Sequence, residues 1–212
     1  MHKHAWQLSP GQNEQSQALA QRVEELRRGL RVRDPNRLAA ATGCVYGNDH
    51  FRLNLFRQTL RLPFPELTPI DETSGNKLPL SSQALLLYYF SSADGSPLTG
   101  RWISFAELPD GRVYNQAYQG YTGDLLARRY GADLAGLEHA CGSIDGGQVV
   151  YGDLGIAFLA LPRVSLLAVL WQADDEFPAS GKVLFDSSVV HYLPTDVCAI
   201  LGSMLTRKLL AG

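Results

Sequence analysis

The chain has 212 residues, of which 45% are hydrophobic and 19% charged, the balance of a globular protein. This length suits one substantial core, so we predict a single globular domain over residues 1–212, with residues 1–12 as a loosely ordered tail. The formal net charge of −2 gives no uniform positive field, which disfavours nucleic acid as a partner. Neither a secretion signal nor a membrane-spanning apolar run occurs, so we expect a soluble, cytoplasmic protein without a membrane partner.

The N-terminal part predicts two helices followed by a strand pair. Apolar residues recur at helical spacing over residues 13–30, and Asp34-Pro35 begins a short helical turn that ends near Gly43. Over residues 50–67, apolar and polar residues alternate in two runs, which is typical of a β-hairpin. Residues 68–79 are rich in proline, glycine and polar residues and predict a loop.

The middle of the chain predicts a buried helix, a short strand and two further helices. Ser81 and Ser82 can cap a helix over QALLLYYFSSA, which is apolar nearly all round and therefore belongs in the interior. RWISF predicts a short strand, and the PDG that follows it predicts a turn. Helical segments are expected over residues 123–130 and 133–141.

The last third of the chain is the most regular part. GIAFLAL, VSLLAVLW and KVLF are strongly apolar runs of strand length, so we predict three strands with both faces covered or nearly so. A helix is predicted over residues 195–210, with its apolar face on the sheet. Together the elements predict an α+β fold in which a mixed or mainly antiparallel sheet is covered by helices.

Acidic residues are concentrated in the stretch WQADDEFPASGKVLFDSSVVHYLP. Asp174, Asp175 and Glu176 lie in the connection between two predicted strands, and Asp186 and His191 follow. Carboxylate oxygens are the ligands that Mg²⁺ and Ca²⁺ prefer. The five residues are therefore a candidate metal site, and in a metal-dependent enzyme Glu176 would act as the general base.

The same stretch can also be structural. Aspartates in loops hydrogen-bond to nearby backbone, and Asp186 before two serines is typical of such a turn. A short connection between antiparallel strands would also place the acidic loop near Lys182, with Asp186 at the far end of the next strand, roughly 13 Å away. The loop would then be a polar turn, or half of a site completed by Glu107 or Asp110.

Aromatic residues are the second candidate feature. Trp102, Phe105, Tyr114, Tyr118 and Tyr121 follow one another closely and are interleaved with glycines. They could line a ligand pocket with their polar tips or could pack in the core. The candidate ligand-binding residues are Asp174, Asp175, Glu176, Trp102, Tyr114 and Tyr118.

Familiar catalytic motifs are missing. The sequence has no GxSxG, HExxH or CxxC motif, and the glycine-rich segment 141–155 lacks the ending of a phosphate-binding loop. Cys44, Cys141 and Cys198 are far apart and odd in number, so we expect reduced thiols. Catalytic residues and cofactors stay unassigned.

The order of segments carries a resemblance to a known family. LLLYYFSSADGSPLTGRWISFAELPDGRVY and ALPRVSLLAVLWQADDEFPASGKVLFDSSVVHYLPTDV resemble the domain of unknown function 3786 family of bacteria and archaea, over about residues 51–210. The resemblance rests on W-x-S-F-x-E-L-P-x-G, D-E-F-P and L-F-D-x-S. It implies no established reaction. Some relatives carry a cysteine-rich iron–sulfur segment in anaerobes that use corrinoid chemistry, and this chain has no cysteine cluster, so such a cofactor would have to come from a partner.

Three functions are compatible with these patterns. The first is a non-catalytic ligand-binding or accessory protein, with the link to corrinoid or iron–sulfur metabolism that the resemblance implies. The alternative is a metal-dependent enzyme with an acidic site in the DDEF region. The third is a structural subunit with a face for assembly. The ligand or protein partner is not identified by the sequence.

Overall fold

The computed structural model of the chain describes residues 10–142 and 144–212. Residues 1–9 of the predicted tail lie outside this range, and the first helix begins at Pro10, three residues before the predicted start. The helices are α1 (Pro10–Arg31), α2 (Pro35–Thr42), α3 (Leu80–Ser92), α4 (Gly111–Tyr121), α5 (Gly123–Tyr130), α6 (Leu134–Gly142) and α7 (Thr195–Ala211), with 3₁₀ helices at Phe105–Glu107 and Ser187–His191.

The strands form two antiparallel sheets, so the predicted α+β class is confirmed. The strands are β1 (Val45–Gly47), β2 (His50–Leu55), β3 (Gln58–Pro63), β4 (Ile70–Asp71), β5 (Trp102–Ile103), β6 (Gly147–Val149), β7 (Leu154–Leu161), β8 (Val164–Trp171) and β9 (Ser180–Asp186). The four-stranded sheet has the order β1-β2-β3-β4, and the five-stranded sheet has the order β5-β9-β8-β7-β6. The predicted hairpin is β2–β3, and the three predicted C-terminal strands are β7, β8 and β9.

The burial of each strand follows from its sequence pattern. In β2, buried and exposed residues alternate because one face meets the core and the other meets water. In β8, Leu166, Ala168 and Leu170 join the main core. Leu167 and Val169 lie on the opposite face, in a smaller apolar cluster with Leu184. A strand buried on both faces reads as a continuous apolar run, as VSLLAVLW does.

Helix α3 occupies the centre, as its apolar sequence predicts. Phe90 contacts Phe51 of β2 edge to face, with 4.9 Å between the ring centroids. The Tyr89 hydroxyl donates a hydrogen bond to the Thr42 carbonyl (2.5 Å) and accepts one from the Arg163 backbone N–H (3.2 Å). These bonds satisfy a buried phenol and tie α3 to the end of α2 and to the β7–β8 turn.

Helices α5 and α7 complete the cover of the five-stranded sheet. Helix α5 lies directly on β8 and β9, and its Gly123 is so close to β9 that an added Cβ would stand 2.1 Å from the Gly181 carbonyl oxygen. Helix α7 buries Cys198, Leu201 and Leu205 completely. Only glycine, which has no side chain, allows α5 to approach β9 this closely at position 123.

Helix α4 and the short strands β1, β4 and β6 are not predicted from the sequence. The α4 sequence, GRVYNQAYQGY, contains two glycines and few strong helix formers, so its propensity is low. Strands of two or three residues such as β4 are too short to show an alternating pattern. The predicted strand RWISF is a strand only at Trp102–Ile103, because Ser104 begins a 3₁₀ helix. None of the helices in the described ranges is both long and apolar enough to span a bilayer.

Candidate ligand-binding cleft

The acidic loop between β8 and β9 is an exposed turn. One carboxylate oxygen of Asp174 accepts hydrogen bonds from the backbone N–H groups of Glu176 (2.9 Å) and Phe177 (2.7 Å). The Asp174 N–H donates in turn to the Phe177 carbonyl (3.0 Å). Asp175 and Glu176 are exposed beside it. The first aspartate therefore acts as the turn-forming residue that the structural alternative predicts.

Asp186 lies at the opposite end of β9 and is almost completely buried. Trp171 pairs with Ser180 beside the acidic loop, so six residues, or about 20 Å of strand, separate the loop from Asp186. The Asp186 carboxylate accepts hydrogen bonds from the N–H and hydroxyl of Thr99, the N–H of Gly100, and the N–H and hydroxyl of Ser188, at 2.7 to 3.1 Å. Burial opposes its ionisation, but the bonds from Ser188 and Thr99 outweigh burial, and its pKa is lowered.

His191 is exposed and is paired with a residue outside the acidic stretch. Its Nδ1 lies 2.7 Å from a carboxylate oxygen of Asp94, just after α3. Hydrogen bonds from Ser96 and, less strongly, from His191 lower the pKa of Asp94 to about 2. His191 is therefore hydrogen-bonded to Asp94 at the surface.

The five-residue metal site is not formed in this arrangement. The strand β9 separates Asp186 from Asp174, Asp175 and Glu176, and His191 is held by Asp94. Within residues 10–142 and 144–212, no three His, Cys, Asp or Glu side chains are grouped closely enough to hold a metal ion. The extended strand β9 keeps its two ends, and the candidate residues at them, apart.

Glu107 does not complete a site with the acidic loop either. Its carboxylate accepts hydrogen bonds from the N–H (2.7 Å) and the hydroxyl (2.8 Å) of Ser104, in a capping box of the 3₁₀ helix. These bonds lower the pKa of Glu107. Because Trp102 pairs with Asp186, this helix follows the Asp186 end of the sheet, far from the loop. Asp110 follows this 3₁₀ helix by three residues and so lies at the same end of the sheet.

The three candidate aromatic residues are not brought together. Trp102 packs on the outer cluster of the five-stranded sheet. Tyr118 is buried, stacks on Phe105 with 4.2 Å between ring centroids, and donates a hydrogen bond to the Val183 carbonyl (3.3 Å). Tyr114, with 64% of its surface exposed, lines an open cleft.

That cleft has a volume of about 830 Å³ and lies between α4 and the N-terminal end of α7. The size is within the range of small-molecule sites in proteins. Its described lining is mainly apolar, with two carboxylates, two phenols and two hydroxyl groups. The lining residues are Ser92, Phe105, Pro109, Asp110, Tyr114, Ala117, Tyr121, Val190, Leu193, Pro194, Thr195, Asp196 and Ala199.

The walls of the cleft are fixed by short-range structure. The capping box at Ser104 directs the chain into a turn, and Asp110 takes a left-handed conformation (φ 57°) that aspartate tolerates better than most residues. Gly111 then passes so close to the Phe105 carbonyl that an added Cβ would be 1.9 Å from its oxygen. Across the cleft, the Thr195 hydroxyl donates to the Pro109 carbonyl (2.7 Å), which joins the start of α7 to the turn before α4.

Tyr114 and Tyr121 supply aromatic surface at the cleft. Tyr121 is 40% exposed and contacts Tyr118 edge to face, with 5.7 Å between centroids. Partial burial raises the pKa of Tyr121, so its hydroxyl stays protonated at neutral pH. The two rings give the cleft apolar faces with hydrogen-bonding tips, as the ligand-pocket alternative requires.

The sequence contains a signal for this wall that depends on recognising α4. Tyr114, Ala117 and Tyr121 are spaced i, i+3, i+7, which places them on one side of a helix. Unless α4 is recognised as a helix, the sequence does not show which tyrosines are buried and which are exposed at the cleft. Asp196 has no local signal beyond its place in the first turn of α7, because α4 and α7 are distant in sequence.

A second cleft, of about 660 Å³, lies between the two sheets. Its described lining includes Arg52, Asn54, Thr59 and Asp145, and Phe56 is its one aromatic residue.

The cysteines do not form an alternative reactive site. All three are buried, and burial raises the pKa of Cys44 and Cys141 to about 12 and that of Cys198 further. Thiols in this state are poor nucleophiles and poor metal ligands.

The molecule is thus an α+β protein of two antiparallel sheets, with an amphipathic cleft beside the larger one. Its sequence places it in a family. The chain belongs to the domain of unknown function (DUF3786) family, whose profile matches residues 34–208. The family predicted from the sequence motifs is therefore confirmed. Comparisons with curated proteins and with solved structures give no match.

Proposed function

We propose that this protein is a non-catalytic ligand-binding or accessory protein, and that a small molecule binds in the cleft between α4 and α7. The observation that carries the proposal is the cleft itself. It has the volume of a ligand site, and Tyr114, Tyr121 and Val190 keep 64%, 40% and 46% of their surfaces exposed there. Open apolar and aromatic surface in a concavity is typical of binding sites.

The composition of the cleft supports binding more than catalysis. Its described lining has carboxylates, phenols and hydroxyls, but includes no histidine, cysteine, lysine or arginine. Nucleophilic catalysis by the familiar residues needs a hydroxyl or thiol beside a base. A cytoplasmic location and a link to corrinoid or iron–sulfur proteins stay predictions.

Benzyl alcohol is a suitable neutral probe, because it has one aromatic ring and one hydrogen-bonding group. We expect its titration to shift backbone amide NMR signals of residues along the cleft, such as Ala117 and Ala199. Ala117→Trp should fill the cleft and weaken binding by about tenfold. Gln116→Trp is the matched control, since Gln116 is exposed on α4 outside the lining, and should bind the probe as the wild type does.

Two results would contradict the proposal. One is a titration in which the cleft signals do not move. The other is equal binding by the wild type and Ala117→Trp, which would place the probe elsewhere on the protein.

A further inference from the structure

The charges of the cleft have one sign. Asp110 and Asp196 are its charged residues within the described lining, and both are carboxylates. They come from opposite walls, one before α4 and the other in the first turn of α7. A ligand between these walls would therefore meet a negative charge on each side.

The N-termini of α4 and α7 also lie at the cleft, and their partial positive charges oppose the negative charges of the two carboxylates. Each N-terminus is equivalent to about half a positive elementary charge, so α4 and α7 together contribute about +1. The two carboxylates contribute about −2, and the sum is about −1. The Asp196 carboxylate already accepts a hydrogen bond from the Val197 N–H of its own helix (3.0 Å). The balance thus favours a cation over the anions that bare helix ends attract.

Arg112, a basic residue close in sequence to Asp110, does not reverse this balance. Arg112 follows Asp110 by two residues and is exposed, and it lines a shallow groove that also includes Glu107 and Asp110. This groove therefore has two carboxylates and one guanidinium in its lining. The 830 Å³ cleft keeps its negative sign.

The tyrosines add a second attraction for cations. The face of an aromatic ring carries partial negative charge and attracts ammonium and guanidinium groups. Tyr114 and Tyr121 are both open to the cleft. Apolar residues such as Phe105 and Leu193, each 3% exposed, form the floor and suit a hydrocarbon body.

We infer that the cleft takes an organic cation, an amine or quaternary ammonium compound with an aromatic or aliphatic body. The charged group would lie between Asp110 and Asp196, and the body would lie against the tyrosines and the apolar floor. This inference rests on the proposed function, because it names the ligand class of the same cleft.

Three probes that share a benzyl group isolate the effect of charge: benzylammonium, benzyl alcohol and phenylacetate. We expect benzylammonium to bind the full-length protein at least about fivefold more tightly than benzyl alcohol, and phenylacetate to bind most weakly. The preference should shrink as salt is added, since the cleft is open to solvent. Affinities are measured from shifts of the cleft amide signals.

The double variant Asp110→Asn with Asp196→Asn should remove the preference, so that benzylammonium and benzyl alcohol bind it with affinities within about twofold of each other. Asparagine tolerates the left-handed conformation at position 110, which protects the fold. The matched control is Asp175→Asn with Glu176→Gln, which removes two negative charges from the remote loop and should keep the preference.

The outcomes separate the two proposals. If benzyl alcohol or phenylacetate binds in the cleft as tightly as benzylammonium, the cation inference is wrong and the ligand site stands. If the remote control loses the preference to the same extent, the selectivity comes from net charge and the inference is also wrong. If no probe moves the cleft signals, the proposed function itself is wrong.

Discussion

The two ends of β9 carry carboxylates in opposite circumstances. At one end, Asp174, Asp175 and Glu176 are consecutive and exposed, and one of them forms a turn with its own backbone. At the other end, Asp186 is alone and 2% exposed, and it accepts five hydrogen bonds from two chain segments. The acidic cluster that stands out in the sequence is structurally the less constrained of the two.

The difference shows what makes a carboxylate important to a fold. Water solvates the carboxylates of Asp175 and Glu176 in both the folded and unfolded states, so their presence changes stability little. Asp186 loses its water on folding and needs every replacement donor that Thr99, Gly100 and Ser188 supply. It thereby joins the segment before β5 to the turn after β9. Local density of charge in the sequence does not reveal this role.

The largest expected effect is at Asp186. Asp186→Ala would leave several buried donors without an acceptor, and we expect the free energy of unfolding to fall by about 4 kcal/mol. Asp186→Asn keeps one acceptor oxygen and should lose about half as much. Urea unfolding followed by circular dichroism measures both. A loss below about 1 kcal/mol in the alanine variant would show that the five bonds are not needed.

Leu201 allows the loss of stability at Asp186 to be compared with the loss of a buried apolar side chain. Its side chain on α7 is completely buried and makes no hydrogen bond. Leu201→Ala should lower the free energy of unfolding by about 3 kcal/mol, within the 2–5 kcal/mol typical of such cavities. The same urea experiment measures it, and Met204→Ala on the partly buried side of α7 should cost less. A Leu201 loss below about 1 kcal/mol would mean that α7 exposes this face in solution.

Acid should destabilise the protein mainly by protonating the carboxylates that are hydrogen-bonded in the folded state. Folding lowers the pKa of Asp186, Glu107 and Asp94, that of Asp94 to about 2. A lowered pKa means that the stabilisation is complete above the unfolded value of about 4 and is lost as the pH falls through the folded value. We therefore expect the urea midpoint to fall between about pH 5 and pH 2.5.

Asp186→Asn tests the source of that dependence. Glu107 and Asp94 are exposed, so solvent screens their contributions, and the buried Asp186 should dominate. The asparagine variant should show a shallower fall of the midpoint with acid than the wild type. Equal slopes would assign the acid dependence to the surface carboxylates instead.

The sequence predicts the fold well where its pattern is long. Strands β7, β8 and β9 and helix α7 follow from apolar runs or helical spacing, and the turn at Asp186 follows from the serines after it. The cleft could not be derived in this way. Its walls come from α4, whose helix propensity is low, and from α7, about 80 residues later in the chain. Asp110 and Asp196 line one cleft only because of the tertiary structure, which periodicity does not report.

The smallest expected effect tests the other side of the comparison. Asp175→Asn combined with Glu176→Gln removes two exposed negative charges and leaves Asp174, the turn-forming residue, in place. Because both replaced side chains are solvated in the folded and unfolded states, the free energy of unfolding should change by less than about 0.5 kcal/mol. Circular dichroism should be unchanged, and urea unfolding gives the difference. A loss comparable to that of Asp186→Asn would show that the loop carboxylates are structural after all, and the contrast between the two ends of β9 would not hold.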